Sequence, residues 1–430
     1  MAGARSNQTS EWQERMTRIG LAYNQKPDQA VLRLEEDDAL SEDEPPSSRI
    51  TSLPGDATPP SASTDDEFAE WDSAETIAAV EQALQGLGDV VRLEATADFP
   101  ERLRAENPDI VFNMAEGLRG ANREAHIPAI CEFAGIPYSG SDPFTLSLCL
   151  DKARTKEVLG FHGVRTAKHA VVRDSGSGSR EWAIGNGESW EWKMGTSRAG
   201  DRGKRSSQFR FPLPASCFPV FVKPVHEGSS KGITERNLCR NADELDEQIV
   251  HLLERYNQPV LVEEYLPGAE FTCAVLGNGR AARVLPIVGM RFDALPAGAL
   301  PVYGFEAKWL WDRHEKPLEI FECPARIDEA LRCRIEEIVL AAYRVLGCRD
   351  WSRVDVRLDA AGVPNVVEVN PLPGILPDPA DNSCLPKAAR AAGMSYDQLI
   401  QACVRHAAER QGVSLSRKAT RRSRRAAALG

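Results

Sequence analysis

The sequence of 430 residues lacks several features that would place a protein in a class at once. It has no run of about 18 apolar residues, so no membrane-spanning helix is predicted. Its first stretch, MAGARSNQTSEWQERM, has no apolar signal core, which favours a cytoplasmic protein. The ten cysteines form no CxxC pair, which argues against a zinc knuckle or a disulfide framework. A net charge of −11 argues against a nucleic-acid-binding protein.

What is present is an ordinary globular composition, with 42% hydrophobic and 27% charged residues, in a chain long enough for several domains. Strand and helix patterns alternate over residues 17–150, which predicts a small parallel α/β domain with its site at the carboxyl ends of the strands. Residues 1–16 are predicted to be a disordered leader. Residues 24–67 are rich in proline, serine and acid, which predicts a flexible acidic loop.

Two later stretches also lack a regular pattern. Residues 174–216 are rich in Gly, Ser, Arg and Trp and have no usable period, which predicts an insertion that is mostly disordered. Residues 412–430 are predicted to form a basic tail, for which we expect weak and non-specific anion binding at most. The regions on either side of the insertion carry the motifs with chemical meaning.

The segment RVDVRLDAAGVPNVVEVNPLPG, residues 353–374, predicts two short strands joined by a tight turn. A short loop between the strands would place Asp355 opposite Glu368 and Arg353 opposite Asn370. Because side chains alternate between the two faces of a strand, all four would share one face.

Two carboxylates that face each other in this way repel, and a bound divalent cation would reverse the sign of the interaction. Hard oxygen ligands, with phosphate and water completing the shell, describe a Mg²⁺ site. Arg353 beside it could hold a phosphate or a developing oxyanion. The alternative is an amphipathic surface hairpin whose charges face solvent, and this segment alone leaves both interpretations open.

A second motif is the loop EGSSKG, residues 227–232, which follows a predicted strand over residues 218–224. Glycines let the backbone approach a phosphate, and serine hydroxyls and backbone N–H groups can donate to its oxygens. The loop lacks the GKS or GKT ending of a P-loop. Lys223 at the end of the strand can place its charge on a nucleotide phosphate, and the alternative is a solvated lysine.

These motifs together resemble one family. The segments VFVKPVHEGSSKGI, VLVEEYLPGAEFT, FEAKW and RVDVRLD…VVEVNPLPG occur in the order and spacing of the D-alanine–D-alanine ligases, within the ATP-grasp superfamily. The segment YSGSDPFTLSLCLDKARTK is similar to that family's entry into its central domain. The resemblance covers roughly residues 109–411 without the insertion.

The resemblance implies an α/β protein with the ATP-grasp fold. The N-terminal parallel α/β domain, residues 17–150, would precede two α+β subdomains, residues 151–264 and 265–411, that clasp ATP. It also implies a homodimer, small-molecule partners only, and two Mg²⁺ ions, for which Mn²⁺ could substitute.

The resemblance further implies roles for individual residues. Lys152 and Lys223 would contact the phosphates of ATP. Glu263, Tyr265 and Leu266 would meet the adenine, and Glu270 would bind the ribose. The metal ligands would be Asp355, Glu368 and Asn370. Catalysis would involve Arg353 and the Gly374 N–H at the oxyanion, Lys308 on a mobile loop, and Ser229 and Ser230 over the phosphates.

The implied reaction has two steps. A carboxylate attacks the γ-phosphate of ATP to give an acylphosphate and ADP, and an amine then displaces phosphate to form an amide. The product would be D-alanyl-D-alanine, a peptidoglycan precursor, or another dipeptide or peptide-like metabolite. A non-catalytic ATP-binding relative is disfavoured, because the metal ligands, both phosphate lysines and Arg353 are all present.

Three departures from the family pattern fall in the amino-acid pockets. AYNQKPDQ stands where the family has a Gly-Gly…Ser-x-Glu signature; Glu70 is a candidate substitute for that glutamate, although a surface position is expected for it. Glu116 stands near the family's histidine and could bind an amine or cap a strand end. Ser383, which matches a serine that holds the second substrate's carboxylate, lies four residues further from Gly374 than usual.

Overall fold

The protein was analysed as a computed structural model, which describes residues 16–27, 70–174, 180–184, 213–228, 230–296, 301–302 and 318–415. The predicted leader, most of the acidic loop and insertion, and nearly all of the predicted tail lie outside these residues. Within them, no helix is long and apolar enough to cross a membrane.

The N-terminal part contains a three-stranded parallel sheet, as the sequence predicts. The strands are β1 (Arg18–Tyr23), β2 (Asp89–Glu94) and β3 (Ile110–Asn113), in the order β2-β1-β3. The accompanying helices are α1 (Ala74–Gln85), α2 (Phe99–Glu106) and α3 (His126–Ala134). Because β1 is central and buried from Ile19 to Tyr23, it forms the middle of this core.

The acidic loop does not begin at Asn24, contrary to the prediction. The Asn24 side chain is buried; it donates to the Ala95 carbonyl at 3.2 Å and accepts from the Gly117 N–H at 2.9 Å. Lys26 also donates its backbone N–H to the Asp72 carbonyl. Polar side chains at a strand end can be held by such bonds, which a composition-based prediction does not detect.

Two helices lead into the central sheet. They are α4 (Pro143–Leu150) and α5 (Lys152–Phe161). Asp151 separates them with an extended backbone, and its carboxylate accepts from the N–H groups of Ala153 and Arg154. This cap starts α5 at Lys152 and so fixes the position of that lysine.

The central sheet is antiparallel, in the order β5-β4-β8-β6-β7. Its strands are β4 (His169–Asp174), β5 (Arg180–Ile184), β6 (Val220–Pro224), β7 (Leu238–Cys239) and β8 (Val260–Glu264), and α6 (Ala242–Tyr256) packs against it. The strand β5 lies inside residues 174–216, so five residues of the predicted insertion form a strand. An edge strand needs only one partner for its backbone, which β4 supplies.

The C-terminal sheet runs β12-β11-β9-β13-β14, with β10 paired to β9. Its strands are β9 (Glu270–Leu276), β10 (Arg283–Val284), β11 (Val288–Met290), β12 (Phe321–Glu322), β13 (Trp351–Leu358) and β14 (Pro364–Asn370). The helices are α7 (Glu329–Val345), α8 (Cys384–Ala391) and α9 (Tyr396–Gln411). The helix α9 returns to the N-terminal part and packs on α1, where Gln401 donates to the Ala83 carbonyl at 2.9 Å.

Asp350 joins the N-terminal and C-terminal parts. Its fully buried carboxylate accepts from the Gly140 N–H at 2.9 Å, from Asn278 Nδ2 at 2.8 Å and from Arg410 Nη2 at 2.7 Å. Arg410 in turn donates to the carbonyls of Tyr138 and Gly140. The Asp350 carboxylate therefore connects the helix α9, the loop after α3 and the start of the β13–β14 hairpin.

We expect Asp350→Asn to lower the free energy of unfolding by about 3 kcal/mol, because Arg410 and several N–H donors would lose their charged acceptor. Chemical denaturation followed by circular dichroism measures this change. Glu329→Gln removes one partner of the exposed Arg332–Glu329 pair and serves as the control, with little change expected. Equal unfolding midpoints for the two variants would contradict the role assigned to Asp350.

Candidate active site

A cavity of about 820 Å³ lies where the three sheets meet. Its wall includes residues from the ends of β6, β8 and β14, from β13 and α5, and from the N-terminal part. Most of the residues predicted to act on ATP or metal line it, namely Lys152, Lys223, Glu263, Tyr265, Leu266, Glu270, Arg353, Asp355, Glu368 and Asn370.

The hairpin register agrees with the sequence-based pairing. Arg353 lies opposite Asn370, and Asp355 lies opposite Glu368, with a β-bulge just after Asp355. All four side chains line the cavity, and Asp355 exposes only 9% of its surface. The alternative of a solvent-facing surface hairpin is therefore wrong.

Each hairpin carboxylate has a cationic partner. Asp355 accepts from Arg353 Nε and Nη2 at 3.2 and 3.0 Å, and from Thr272 Oγ1 at 3.0 Å. Glu368 lies 2.9 Å from Lys152 Nζ. Burial opposes ionisation of Glu368, but Lys152 and other nearby cations outweigh it and lower its pKa to about 2. The Glu368 carboxylate is thus ionised and can bind a cation.

The donor set on this face fits Mg²⁺. It consists of two carboxylates and the Asn370 side-chain amide, whose Oδ1 also accepts from the Leu372 N–H at 3.0 Å. Over the described ranges, no group of three or more His, Cys, Asp or Glu side chains could hold a metal ion. Protein oxygens therefore fill only part of a coordination shell here, which suits a metal shared with phosphate and water.

Two buried lysines converge on Glu263. Lys223 Nζ lies 2.7 Å from Oε1, and Lys156 Nζ lies 3.0 Å from Oε2. Burial would raise the pKa of Glu263, but these two ammonium groups outweigh it and lower the pKa to about 2. The predicted contact of Glu263 with adenine stays a prediction, since its observed partners are the lysines.

Lys156 was missed in the sequence analysis. It is almost fully buried and also donates to Thr166 Oγ1 at 2.9 Å. A signal was available, because Lys156 lies four residues after Lys152 and so shares its face of α5.

Arg357 was also missed, although it continues the alternation of Arg353 and Asp355 along β13. Its guanidinium donates to Glu270 at 2.8 Å and lies over the Tyr265 ring, 5.2 Å from the centroid. It therefore fixes two of the residues predicted to bind the nucleoside.

The loop after the hairpin is held by Ser383. The hydroxyl donates to the Gly374 carbonyl at 3.1 Å and accepts from the Leu376 N–H at 3.2 Å. The segment between Gly374 and Ser383, which is four residues longer than usual in the family, thus folds back so that Ser383 contacts Gly374, the predicted oxyanion donor. Both residues line the cavity. Ser230 lines it too, with a left-handed backbone at φ 61°, whereas Ser229 and Lys308 lie outside the described residues.

Glu70 is not a surface acid, contrary to the expectation. Its side chain is largely buried, with Arg123 Nη2 at 2.8 Å and Lys231 Nζ at 3.5 Å. Arg123 also donates to the His226 carbonyl at 3.3 Å. Glu70 therefore connects the N-terminal wall of the cavity to the EGSSKG loop, a contact that no sequence pattern indicated.

Two further carboxylates line this wall, those of Glu116 and Glu124. Burial first, and then Glu124 and Glu70, raise the pKa of Glu116 well above its usual range. Burial raises the pKa of Glu124 to about 7, with Arg123 opposing the change. Neither side chain forms a hydrogen bond or ion pair with another described residue, so the strand-cap interpretation of Glu116 has no support.

Comparison with known proteins gives the class first. The crystal structure of a D-alanine–D-alanine ligase from Bacillus anthracis complexed with ATP has a TM-score of 0.57 and 20% sequence identity, covering 92% of this chain and 99% of that chain. This likeness shows the fold, which is the ATP-grasp fold.

Sequence comparison then gives the family. The family described as D-ala D-ala ligase C-terminus matches residues 194–405. The D-alanine–D-alanine ligases of Bordetella petrii and Alcanivorax borkumensis are 31% and 33% identical over 76% and 77% of this chain, and over 85% and 88% of their own lengths. The uncharacterized protein y4sG of Sinorhizobium fredii is 34% identical over 69% of this chain and 74% of its own length. The chain belongs to the D-alanine–D-alanine ligase family.

The raised pKa of Glu124 predicts a pH-dependent stability. Its folded-state value of about 7 exceeds the ordinary 4.5, so the folded protein loses stability from this group as pH rises between these values. Glu124→Gln mimics the protonated group, and we expect the variant to melt above the wild type at pH 8 and at a similar temperature at pH 4. Thermal melts across this range measure it; Glu101→Gln, on the exposed face of α2, is the control. Parallel curves for wild type and Glu124→Gln would contradict the assignment.

Proposed function

We propose that this chain is an ATP-dependent, ADP-forming ligase that joins the carboxylate of one amino acid to the amine of another, as a D-alanine–D-alanine ligase does. One observation carries the proposal: Lys152, Lys223 and Arg353 converge with Asp355 and Glu368 in a single cavity. Cations and metal-binding carboxylates in one enclosed site match the needs of phosphoryl transfer from ATP.

The lysines would bind and orient the triphosphate. Lys152 and Lys223 are held by Glu368 and Glu263, so their ammonium groups are already directed into the cavity before ATP arrives. Such fixed charges stabilise a transferring phosphoryl group without reorganising during the reaction. The EGSSKG loop, anchored through Lys231 and Glu70, would cover the phosphates, with Ser229 and Ser230 as donors.

Asp355, Glu368 and Asn370 would hold the metal, which we propose to be two Mg²⁺ ions, with Mn²⁺ as a substitute. When bound, the metal would supply positive charge that offsets the negative charge of the phosphates. The ionised state of Glu368 favours this binding at neutral pH.

Arg353 would act on the acyl substrate. The substrate carboxylate attacks the γ-phosphate and becomes an acylphosphate, which the amine of the second amino acid then attacks. This attack creates a tetrahedral oxyanion, which the partly buried Arg353 would stabilise from the same face of the hairpin. The Gly374 backbone, held by the Ser383 hydroxyl, would supply an N–H to the same oxyanion. Lys308 is proposed to close over the site.

The remaining proposals concern the whole protein. We propose a peptidoglycan-precursor role if D-alanine is the substrate, a cytoplasmic location, and a homodimer, which sedimentation would test. We also propose a division into an N-terminal domain up to residue 150 and two ATP-grasp subdomains with their boundary between residues 264 and 265. Along the chain, β8 is the last strand of the central sheet, and β9 is the first strand of the C-terminal sheet.

Asp355→Asn should lower kcat for ADP release at least about a hundredfold, because the variant keeps the shape of the side chain but loses the charge that would bind the metal. The assay is ADP release with Mg-ATP and D-alanine, and then with a panel of D- and L-amino acids singly and in pairs.

Glu337→Gln, on the exposed face of α7 in the same subdomain, is the matched control and should keep wild-type kcat. Circular dichroism would show that both variants are folded. Normal turnover by Asp355→Asn would contradict the metal assignment. If no combination of amino acids led to ADP release, the proposed function would be wrong.

A further inference from the structure

The carboxyl groups on the N-terminal wall of the cavity are not all paired with cations. Lys26 and Asp72 lie together, and Glu70 is paired with Arg123 and Lys231. Two other carboxyl groups line this wall, those of Glu116 and Glu124. Neither of these two carboxyl groups forms a hydrogen bond or an ion pair with another described residue.

Glu124 is the stronger indication of a ligand. It exposes 9% of its surface, lines the cavity, and forms no hydrogen bond or ion pair with any other described residue. A buried carboxylate without a partner is costly, so such groups are rare unless a ligand completes them. Glu124 lines the same cavity as Lys152 and Glu368, which belong to the proposed ATP and metal site.

One ammonium group can satisfy one of these carboxylates. An ordinary amino acid such as alanine has a single ammonium, which would leave either Glu116 or Glu124 unpaired in the cavity. A substrate with a second cationic group would satisfy both, and the charge-assisted bonds would offset the cost of burying them.

We propose that the carboxyl-donating substrate is an amino acid with a cationic side chain, whose α-ammonium and side-chain cation are bound by Glu116 and Glu124. This inference rests on the proposed ligase function, and it changes the substrate class within it. Neutral amino acids, D-alanine included, would be poorer substrates.

The test compares isosteric pairs that differ in one charge. Ornithine is compared with norleucine, and 2,4-diaminobutyrate with norvaline, each in both configurations. Binding to the full chain is measured by calorimetry with Mg²⁺ and a non-hydrolysable ATP analogue, and ADP release is measured in parallel with ATP.

We expect the cationic member of at least one pair to bind about tenfold or more tightly than its neutral isostere, in the range that one charge-assisted bond provides. Equal or weaker binding of every cationic member would overturn the inference. Because binding needs no turnover, its result stands apart from ADP release, and absence of ADP with all acids would count against the proposed function instead.

Glu116→Gln and Glu124→Gln keep the shape of each side chain and remove its charge. At least one of them should reduce the tenfold preference to near unity, with the affinity for the ATP analogue unchanged. Glu101→Gln keeps the preference, because it removes one negative charge from the same domain outside the cavity. If both cavity variants weaken the cationic and the neutral acids equally, the carboxylates serve only the α-ammonium, and the second cationic site is excluded.

Discussion

The constraint that shapes this structure is the burial of positive charge for a polyanionic ligand. Lysines that bind phosphate inside a cavity must be desolvated, and desolvation disfavours their charged form. In this chain carboxylates from neighbouring strands offset the cost. Glu263 of β8 forms ion pairs with Lys223 and Lys156. Glu368 of β14 forms an ion pair with Lys152. The two sheets are therefore coupled through the same charges that would bind the nucleotide, and each strand end has to be positioned for its partner.

The sequence predicted those elements whose pattern is local. The parallel N-terminal sheet follows from apolar strands alternating with capped helices, and the hairpin register follows from period-two alternation around one turn. Helix ends are equally local where one residue supplies the cap, as Ser73 and Gly135 do. The start of α5 at Lys152 is also local, because the side chain of the preceding Asp151 caps it.

The parts that sequence reasoning could not reach depend on contacts between distant segments. Glu70 was expected on the surface because its neighbours are polar, and only the fold brings it to Arg123 and Lys231. Arg357 and Lys156 could have been found from their spacing to predicted site residues, but a charge near a motif has no assigned partner until the sheets are assembled. Family resemblance supplied the ATP-binding roles, and it carried least information where the chain departs from the family, in the amino-acid pockets.

The packing of α9 on α1 has a consequence for the order in which the protein can fold during synthesis. The apolar face of α1, with Ile77 and Leu84, shares one core with Leu399 and Val404 of α9. A ribosome releases chains from the N-terminus, so α1 emerges more than three hundred residues before the helix that covers it. The apolar face of α1 in the N-terminal part would therefore stay exposed until α9 has been synthesised. Chaperone dependence and sensitivity to premature termination would be set by this one late helix.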